Sequence, residues 1–139
     1  MAFPNGITIS ADEKTLYVAE TSRSAVWAVG LEEPGVITQR RARILAYLPG
    51  GGVGPDGMAV DAQGNLYVAY FDAGEVVVFT GKGKRIGSII LPAGAGTFTT
   101  NVTFGGPDYK TLYITEAEKN VIYKVAMQVR GLKLFGDKE

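Results

Sequence analysis

Three stretches of this chain repeat one another. Residues 4–29 read PNGITISADEKTLYVAETSRSAVWAV, residues 55–79 read PDGMAVDAQGNLYVAYFDAGEVVVF, and residues 100–125 read TNVTFGGPDYKTLYITEAEKNVIYKV. Three registers agree: Asn5, Asp56 and Asn101; then the triplets starting at Leu16, Leu66 and Leu112; then Val26, Val76 and Ile122. The three leucines stand 50 and 46 residues apart. Self-similarity at that period is the signature of a supersecondary unit that cannot bury its own apolar surface and stacks on copies of itself.

Each unit parses into four short strands. The first follows the Asn or Asp (7–10, 58–61, 102–104). A turn rich in Asp, Gly, Asn and Lys comes next (11–14, 62–65, 105–110), made of residues that tolerate positive φ or bond nearby backbone. The Leu-Tyr-Val and Leu-Tyr-Ile segments form the second strand, and 25–29, 75–79 and 121–125 the third. Residues 44–48, 86–91 and 132–135 are expected to close the units as fourth strands. A run such as Val76-Val77-Val78-Phe79 is apolar on both faces, as in sheets covered on both sides. No segment carries a sustained helical period. The expectation is an all-β chain of three four-stranded antiparallel β-propeller blades, at 4–49, 50–95 and 96–136, in a single domain over 1–139.

The composition excludes much chemistry. Cysteine and histidine are both absent, which removes disulfides, thiolate nucleophiles, His-containing triads and the usual zinc ligands. Catalysis is left to carboxylates, amides, lysine, tyrosine or an oxygen-ligated metal. Fourteen basic and fourteen acidic residues cancel. The one local basic cluster, Arg40, Arg41 and Arg43, reads as a solvated strand edge that discourages pairing rather than as a nucleic-acid site. No charged leader or bilayer-length apolar run is visible, so a cytoplasmic location without membrane contact is expected. Gly52-Val53-Gly54-Pro55-Asp56-Gly57 spells GxGxxG but leads into a strand instead of a helix, so it lacks the context of a dinucleotide site. Gly81 to Lys84 reads as a hairpin turn, and Asn101-Val102-Thr103 matches a glycosylation sequon without other signs of secretion.

Asn5, Asp56 and Asn101 are the residues of interest. In a propeller the first strand of each blade is innermost, and repeat equivalence puts all three at one height around the channel. Two amides and a carboxylate are hard oxygen donors suited to calcium, magnesium or manganese. The alternative is that Asn and Asp before glycine simply make turns. Glu20, Tyr70 and Glu116 end the second strands on the same face, where the two glutamates either add negative charge or stay solvated.

Pro-Asn-Gly-Ile at 4–7 with Leu-Tyr-Val-Ala-Glu-Thr at 16–21 resembles the gluconolactonase and regucalcin (senescence marker protein) family, which includes luciferin-regenerating enzymes. Pro-Asp-Gly-Met-Ala-Val-Asp at 55–61 with Gly-Asn-Leu-Tyr-Val-Ala at 64–69 is a second match. Thr-Asn-Val-Thr-Phe-Gly-Gly at 100–106 with Leu-Tyr-Ile-Thr at 112–115 is a third. The resemblance implies half of a six-bladed propeller with one divalent cation in its channel, calcium first, then magnesium, manganese or zinc. It implies Asn5 and Asp56 as ligands, Asn101 as a further channel position, and Asp56 as general base. It further implies hydrolysis of a lactone or related cyclic ester. One departure stands beside it. The family's glutamate ligand and its substrate-contacting Arg and Asn come from blades that precede Pro-Asn-Gly and have no counterpart in this sequence. A non-catalytic half-propeller, serving binding or assembly or left by truncation, is therefore the competing reading. Three blades in an open arc also leave two apolar faces uncovered, and the expected partner is a second copy, closing a six-bladed ring as a homodimer.

Overall fold

A computed structural model describes residues 1–33, 35–50 and 52–133, with the side chains of residues 38–40 left aside. Eleven strands and one 3₁₀ turn make up its regular structure. The first sheet contains β1 (Pro4–Ile9), β2 (Thr15–Glu20), β3 (Ala25–Glu33) and β4 (Val36–Tyr47). The second contains β5 (Gly54–Val60), β6 (Leu66–Phe71), β7 (Glu75–Phe79) and β8 (Arg85–Ile90), and the third β9 (Thr99–Gly105), β10 (Thr111–Glu116) and β11 (Val121–Ala126). Each sheet is an antiparallel meander in chain order, and the 3₁₀ turn Thr21–Arg23 follows β2. The chain is all-β, as its repeat requires, and no helix among the described residues is long and apolar enough to cross a membrane.

Side-chain alternation explains how the sheets stack. In β6, Leu66, Val68 and Tyr70 belong to one apolar core while Tyr67 and Ala69 belong to another; in β7, Val77 and Phe79 join the first core and Val76 and Val78 the second. Period-two alternation sends these sets to opposite faces. The middle blade is thus the filling between its neighbours. Its first face meets Tyr17, Ala19, Val26, Ala28 and Leu45 of the first blade. Its second face meets Val102, Leu112 and Ile114 of the third, where the Tyr67 and Phe104 rings meet edge to face at 5.1 Å.

Two features were not expected from the sequence. The β3–β4 hairpin is longer than residues 25–29 and 44–48 suggested, with pairing out to Glu33 opposite Val36. Arg41 and Arg43 are exposed on β4, the outermost strand. The second feature is the end of the chain. The third sheet has three strands among the described residues, because Leu132 does not lie along β11 as a fourth strand. Instead the chain crosses to the free edge of β5, where Ala62 N donates to Arg130 O and Leu132 N to Val60 O, each at 2.9 Å. Gly131 makes the crossing possible, since a Cβ there would fall 2.1 Å from Phe104 Cβ. Leu132 then packs against the core between the first two blades, a better apolar site than the exposed edge of β11. The rest of the expected strand, Leu134 and Phe135, lies outside the described residues.

The core assignment makes a direct prediction. Leu66 is fully buried between two blades, so Leu66→Ala should lower unfolding free energy by about 3 kcal/mol in urea titration. Ile90, 77% exposed on β8, should tolerate Ile90→Ser within about 0.5 kcal/mol.

Candidate functional site at the channel mouth

The first strands β1, β5 and β9 lie side by side and line a common channel. Its closest approaches are at glycine. A Cβ on Gly6 would sit 2.1 Å from the Asp56 carbonyl oxygen, and one on Gly57 would sit 1.9 Å from Asn101 Oδ1. Both distances are far inside van der Waals contact. Glycine after the Asn and after the Asp is a packing requirement of adjacent inner strands, and not only a turn preference.

Each inner strand carries one irregularity at this end. The β1–β2 register runs from Pro4 opposite Glu20 to Ile7 opposite Val18, so the first strand holds one extra residue. The same step occurs from Pro55–Tyr70 to Met58–Val68. In the third blade it lies between Thr99–Glu116 and Asn101–Thr115. A bulge breaks the ladder and re-aims a side chain, and a proline costs nothing where no ladder donor is needed. In the first two blades the bulge carries Asn5 and Asp56.

Asn5, Asp56 and Asn101 do come together, lining one open cleft of about 340 Å³ with Gly6, Gly57 and Thr103. The Asn5 amide hydrogen-bonds the Asp56 side chain, and its Nδ2 also donates to Thr21 Oγ1 at 3.4 Å. Thr21 Oγ1 in turn donates to the Pro55 carbonyl at 2.7 Å, which ties the first blade to the strand bearing Asp56. Burial raises the Asp56 carboxyl above its ordinary value, with the Asn5 hydrogen bond opposing the rise. Asn101 Oδ1 accepts from the following backbone N–H of Val102 at 2.9 Å.

The ladders refine the equivalence drawn from the sequence. Ile9, Val60 and Phe104 lie opposite Leu16, Leu66 and Leu112, and four residues back from each stand Asn5, Asp56 and Thr100. Asn101 therefore occupies the position of Gly6 and Gly57, one residue beyond Asn5 and Asp56. The bulge residue of the third blade is Thr100, whose hydroxyl pairs with that of Thr115 at 2.8 Å. Counting back from the leucine-paired residue, instead of matching asparagine to asparagine, would have found it.

Glu20, Tyr70 and Glu116 are buried, so the two glutamates are neither solvated nor a charged rim. Each pins the loop leading into its blade's inner strand. Glu20 accepts from Ala2 N and from the Trp27 indole, with Arg23 Nε 3.7 Å away. Tyr70 donates its hydroxyl to Pro49 O and accepts from Gly52 N. Glu116 accepts from the backbone nitrogens of Phe98, Glu118 and Lys119. Asp61, also fully buried, organises the β5–β6 turn through Gln63 N, Asn65 and the Tyr67 hydroxyl.

As donors, Asn5, Asp56 and Asn101 fit a hard cation in kind but bring a single negative charge. Among the described residues no group of three or more Asp, Glu, His or Cys is placed to hold a metal ion. Any cation here would rely on amide oxygens, water or groups beyond the described residues to complete its shell.

Meandering antiparallel sheets of three or four strands stacked face to face, first strands innermost around a polar mouth, are the blades of a β-propeller. The family model of the SMP-30/Gluconolactonase/LRE-like region matches residues 1–118, and the chain belongs to that family. A relative named lactonase drp35, from Staphylococcus saprophyticus, is 40% identical over 92 residues, covering 66% of this chain and 28% of the relative. A gluconolactonase of Xanthomonas campestris has a similar fold, with TM-score 0.74 and 30% identity, covering 91% of this chain and 38% of that one. Regucalcin of Agrobacterium tumefaciens, described as a calcium-binding protein, aligns with TM-score 0.79 over 94% of this chain and 50% of its own. Its 24% identity speaks to the fold alone. The chain thus spans under a third of the lactonase and half or less of these two solved structures.

The buried glutamate of the first blade gives a pH prediction. The Trp27 hydrogen bond, and after it Ala2 N, Arg23 and the N-terminus, hold Glu20 below its ordinary value of 4.5, against the opposing effect of burial. A depressed folded-state value stabilises the fold above the unfolded value, and this is lost as pH falls through the folded one. The thermal midpoint of the wild type should therefore fall more steeply below pH 4.5 than that of Glu20→Gln. Parallel curves would show that Glu20 is not held ionised by these partners.

Proposed function

We propose that this chain provides the channel-mouth half of a metal-dependent hydrolase of lactones or related cyclic esters. The observation that carries the reading is the meeting of Asn5, Asp56 and Asn101 in one cleft, with the only carboxylate of the set half-buried and shifted toward neutral pH. Membership of a family that includes gluconolactonases supports the substrate class.

Asp56 and the two amides would hold a divalent cation, calcium first, given the hard oxygen donors they bring together. Such a cation supplies Lewis-acid polarisation of a carbonyl. The work of the chain's own residues follows from their positions. Asp56 takes a proton from the water whose oxygen adds to the lactone carbonyl carbon. The ring C–O bond then breaks, the leaving oxygen takes up a proton, and an open hydroxy acid results. Asn5 hydrogen-bonds the Asp56 side chain, and Asn101 supplies an amide at the same wall. A single carboxylate favours a second reading at the same site, in which the mouth binds a cation without turnover.

Calorimetric titration of calcium and manganese should show saturable binding to the wild type, weakened at least tenfold by Asp56→Ala. Turnover of aldonolactones should stop with chelator and fall at least a hundredfold in Asp56→Asn, which keeps the shape but removes the base. Saturable binding without turnover in the wild type selects the second reading. Absence of binding removes the cation, and chelator-insensitive turnover assigns the hydrolysis to other groups.

A further inference from the structure

The turn Gly81-Lys82-Gly83-Lys84, between β7 and β8, packs across the seam onto the first blade. A Cβ at Gly83 would fall 2.1 Å from the Leu45 carbonyl oxygen on β4, and one at Gly81 would fall 3.2 Å from the Tyr17 hydroxyl. The glycines are thus the points of contact, and the lysines alternate with them. Arg43 precedes Leu45 by two residues and lies opposite Ala28, which in turn lies opposite Tyr17. Between the two blades this leaves an open cleft of about 770 Å³ lined by Asp12, Tyr17, Gln63, Asn65, Lys82 and Lys84. An adjoining cleft of about 280 Å³ brings in Lys14, Arg41 and Arg43, with Thr15 bordering both. Since β1 runs from the mouth at Asn5 to the turn at residues 10–14, these clefts lie at the far end of the strands from the channel mouth.

Two independent observations point to a ligand here. The first is charge. Among the described residues no ion pair holds Lys14, Arg41, Arg43, Lys82 or Lys84, and Asp12, set against Lys14, is the only carboxylate lining either cleft. Four cations are left over in a chain whose charges cancel overall. The second is the Tyr17 hydroxyl. In the second blade the equivalent Tyr67 donates to Asp61 at 3.1 Å. Ser10 stands where the first blade would have that carboxylate, and it turns its own hydroxyl to Asp12 at 2.6 Å. Tyr17 is only 4% exposed, and its hydroxyl opens on the cleft without a hydrogen-bond partner among the described residues. Burial, and after it Asp12, hold that hydroxyl above its ordinary value against the opposing effect of Arg43, so it is a proton donor at neutral pH.

We propose that this seam binds a phosphorylated sugar, with Arg43, Lys82 and Lys84 around the phosphate and the Tyr17 hydroxyl donating to one of its oxygens. A surplus of four cations suits a phosphate dianion better than a single carboxylate, and arginine matches phosphate oxygens in pairs. The volume is that of a small-molecule site. The amides of Gln63 and Asn65 and the hydroxyls of Thr15 and Thr80 can both donate to and accept from sugar hydroxyls. A nucleotide fits less well, because Tyr17 is the only aromatic residue on either wall and its buried ring offers no platform for a base.

Calorimetric titration of glucose 6-phosphate, run in chelator so that the outcome is independent of the channel-mouth cation, should show saturable binding. The double variant Lys82→Gln/Lys84→Gln and the single variant Arg43→Gln should each weaken it at least about tenfold. Tyr17→Phe should weaken it about threefold yet leave the thermal midpoint of the unliganded protein unchanged, since its hydroxyl has no partner to lose, whereas Tyr67→Phe should lower that midpoint. Lys124→Gln, exposed on the third blade, should bind as the wild type does. Amide resonances of Gly81 and Gly83 should shift on binding, and those of Gly6 and Gly57 should not. Gluconate and inorganic phosphate should each bind at least about tenfold more weakly than the sugar phosphate. Absence of saturation overturns the proposal, as does unaltered affinity in folded lysine and arginine variants. Equal affinity for gluconate overturns the phosphate, and equal affinity for inorganic phosphate overturns the sugar. Should a variant fail to fold, the wild-type amide shifts decide the location, and shifts confined to Gly6 and Gly57 overturn it.

Discussion

One buried side chain at the end of each second strand sets the geometry on which the channel mouth depends. Glu20, Tyr70 and Glu116 share a ladder position, opposite Pro4, Pro55 and Thr99, but differ chemically. What they have in common is the task of satisfying backbone groups in the loop that approaches the inner strand. Such groups, buried and unpaired, would each cost about 1–3 kcal/mol. An acceptor is needed where the loop presents nitrogens, as at Phe98, and a group that both donates and accepts where it presents a carbonyl and a nitrogen, as at Pro49 and Gly52. That is why glutamate and tyrosine can exchange places in this repeat. Because the loop is fixed at one end and the ladder at the other, the extra residue between them must bulge. The bulge puts Asn5 and Asp56 at the mouth.

The second constraint is the approach of neighbouring inner strands. Blades stacked on broad apolar faces bring their first strands into contact near the axis, where there is no room for a Cβ at Gly6 or Gly57. The site and the packing are consequently one feature of the sequence. Asn-Gly and Asp-Gly each pair a polar side chain that faces the cleft with a residue small enough to let the next strand pass. Thr21 reinforces the arrangement from the side, accepting from Asn5 and donating to the carbonyl beside Asp56. A change at any of these positions would therefore disturb packing and site together.

Much of this was legible in the sequence. The repeat gives the sheets, their order and the shared cleft, because Leu-Tyr-Val and Val-Val-Val-Phe carry the period of strands covered on both faces. The roles of Glu20 and Glu116 were not legible, since a glutamate at a strand end reads as solvated unless its backbone partners, distant in sequence, are known. The crossing at Gly131 was equally hidden. Leu132 has the composition of an outer strand, and only the depth of the site beside Val60, against the exposure of β11, decides where it goes. The alignment of Asn101 failed for a different reason. Identity of residue type was followed through a segment in which the third blade's bulge residue is a threonine.

The corrected register changes how the mouth is understood. At the bulge the three blades place an amide, a carboxylate and a hydroxyl, so a backbone geometry repeated three times is given three chemistries. The third blade then adds Asn101 at the position its predecessors leave empty of side chain. Thr100 turns its hydroxyl toward Thr115 within its own blade, and the amide one residue later fills the space over Gly57. The wall of the cleft is thus completed across a blade junction instead of within one blade. A position that is sterically closed at two junctions can carry a functional side chain only where the following blade is not tightly apposed.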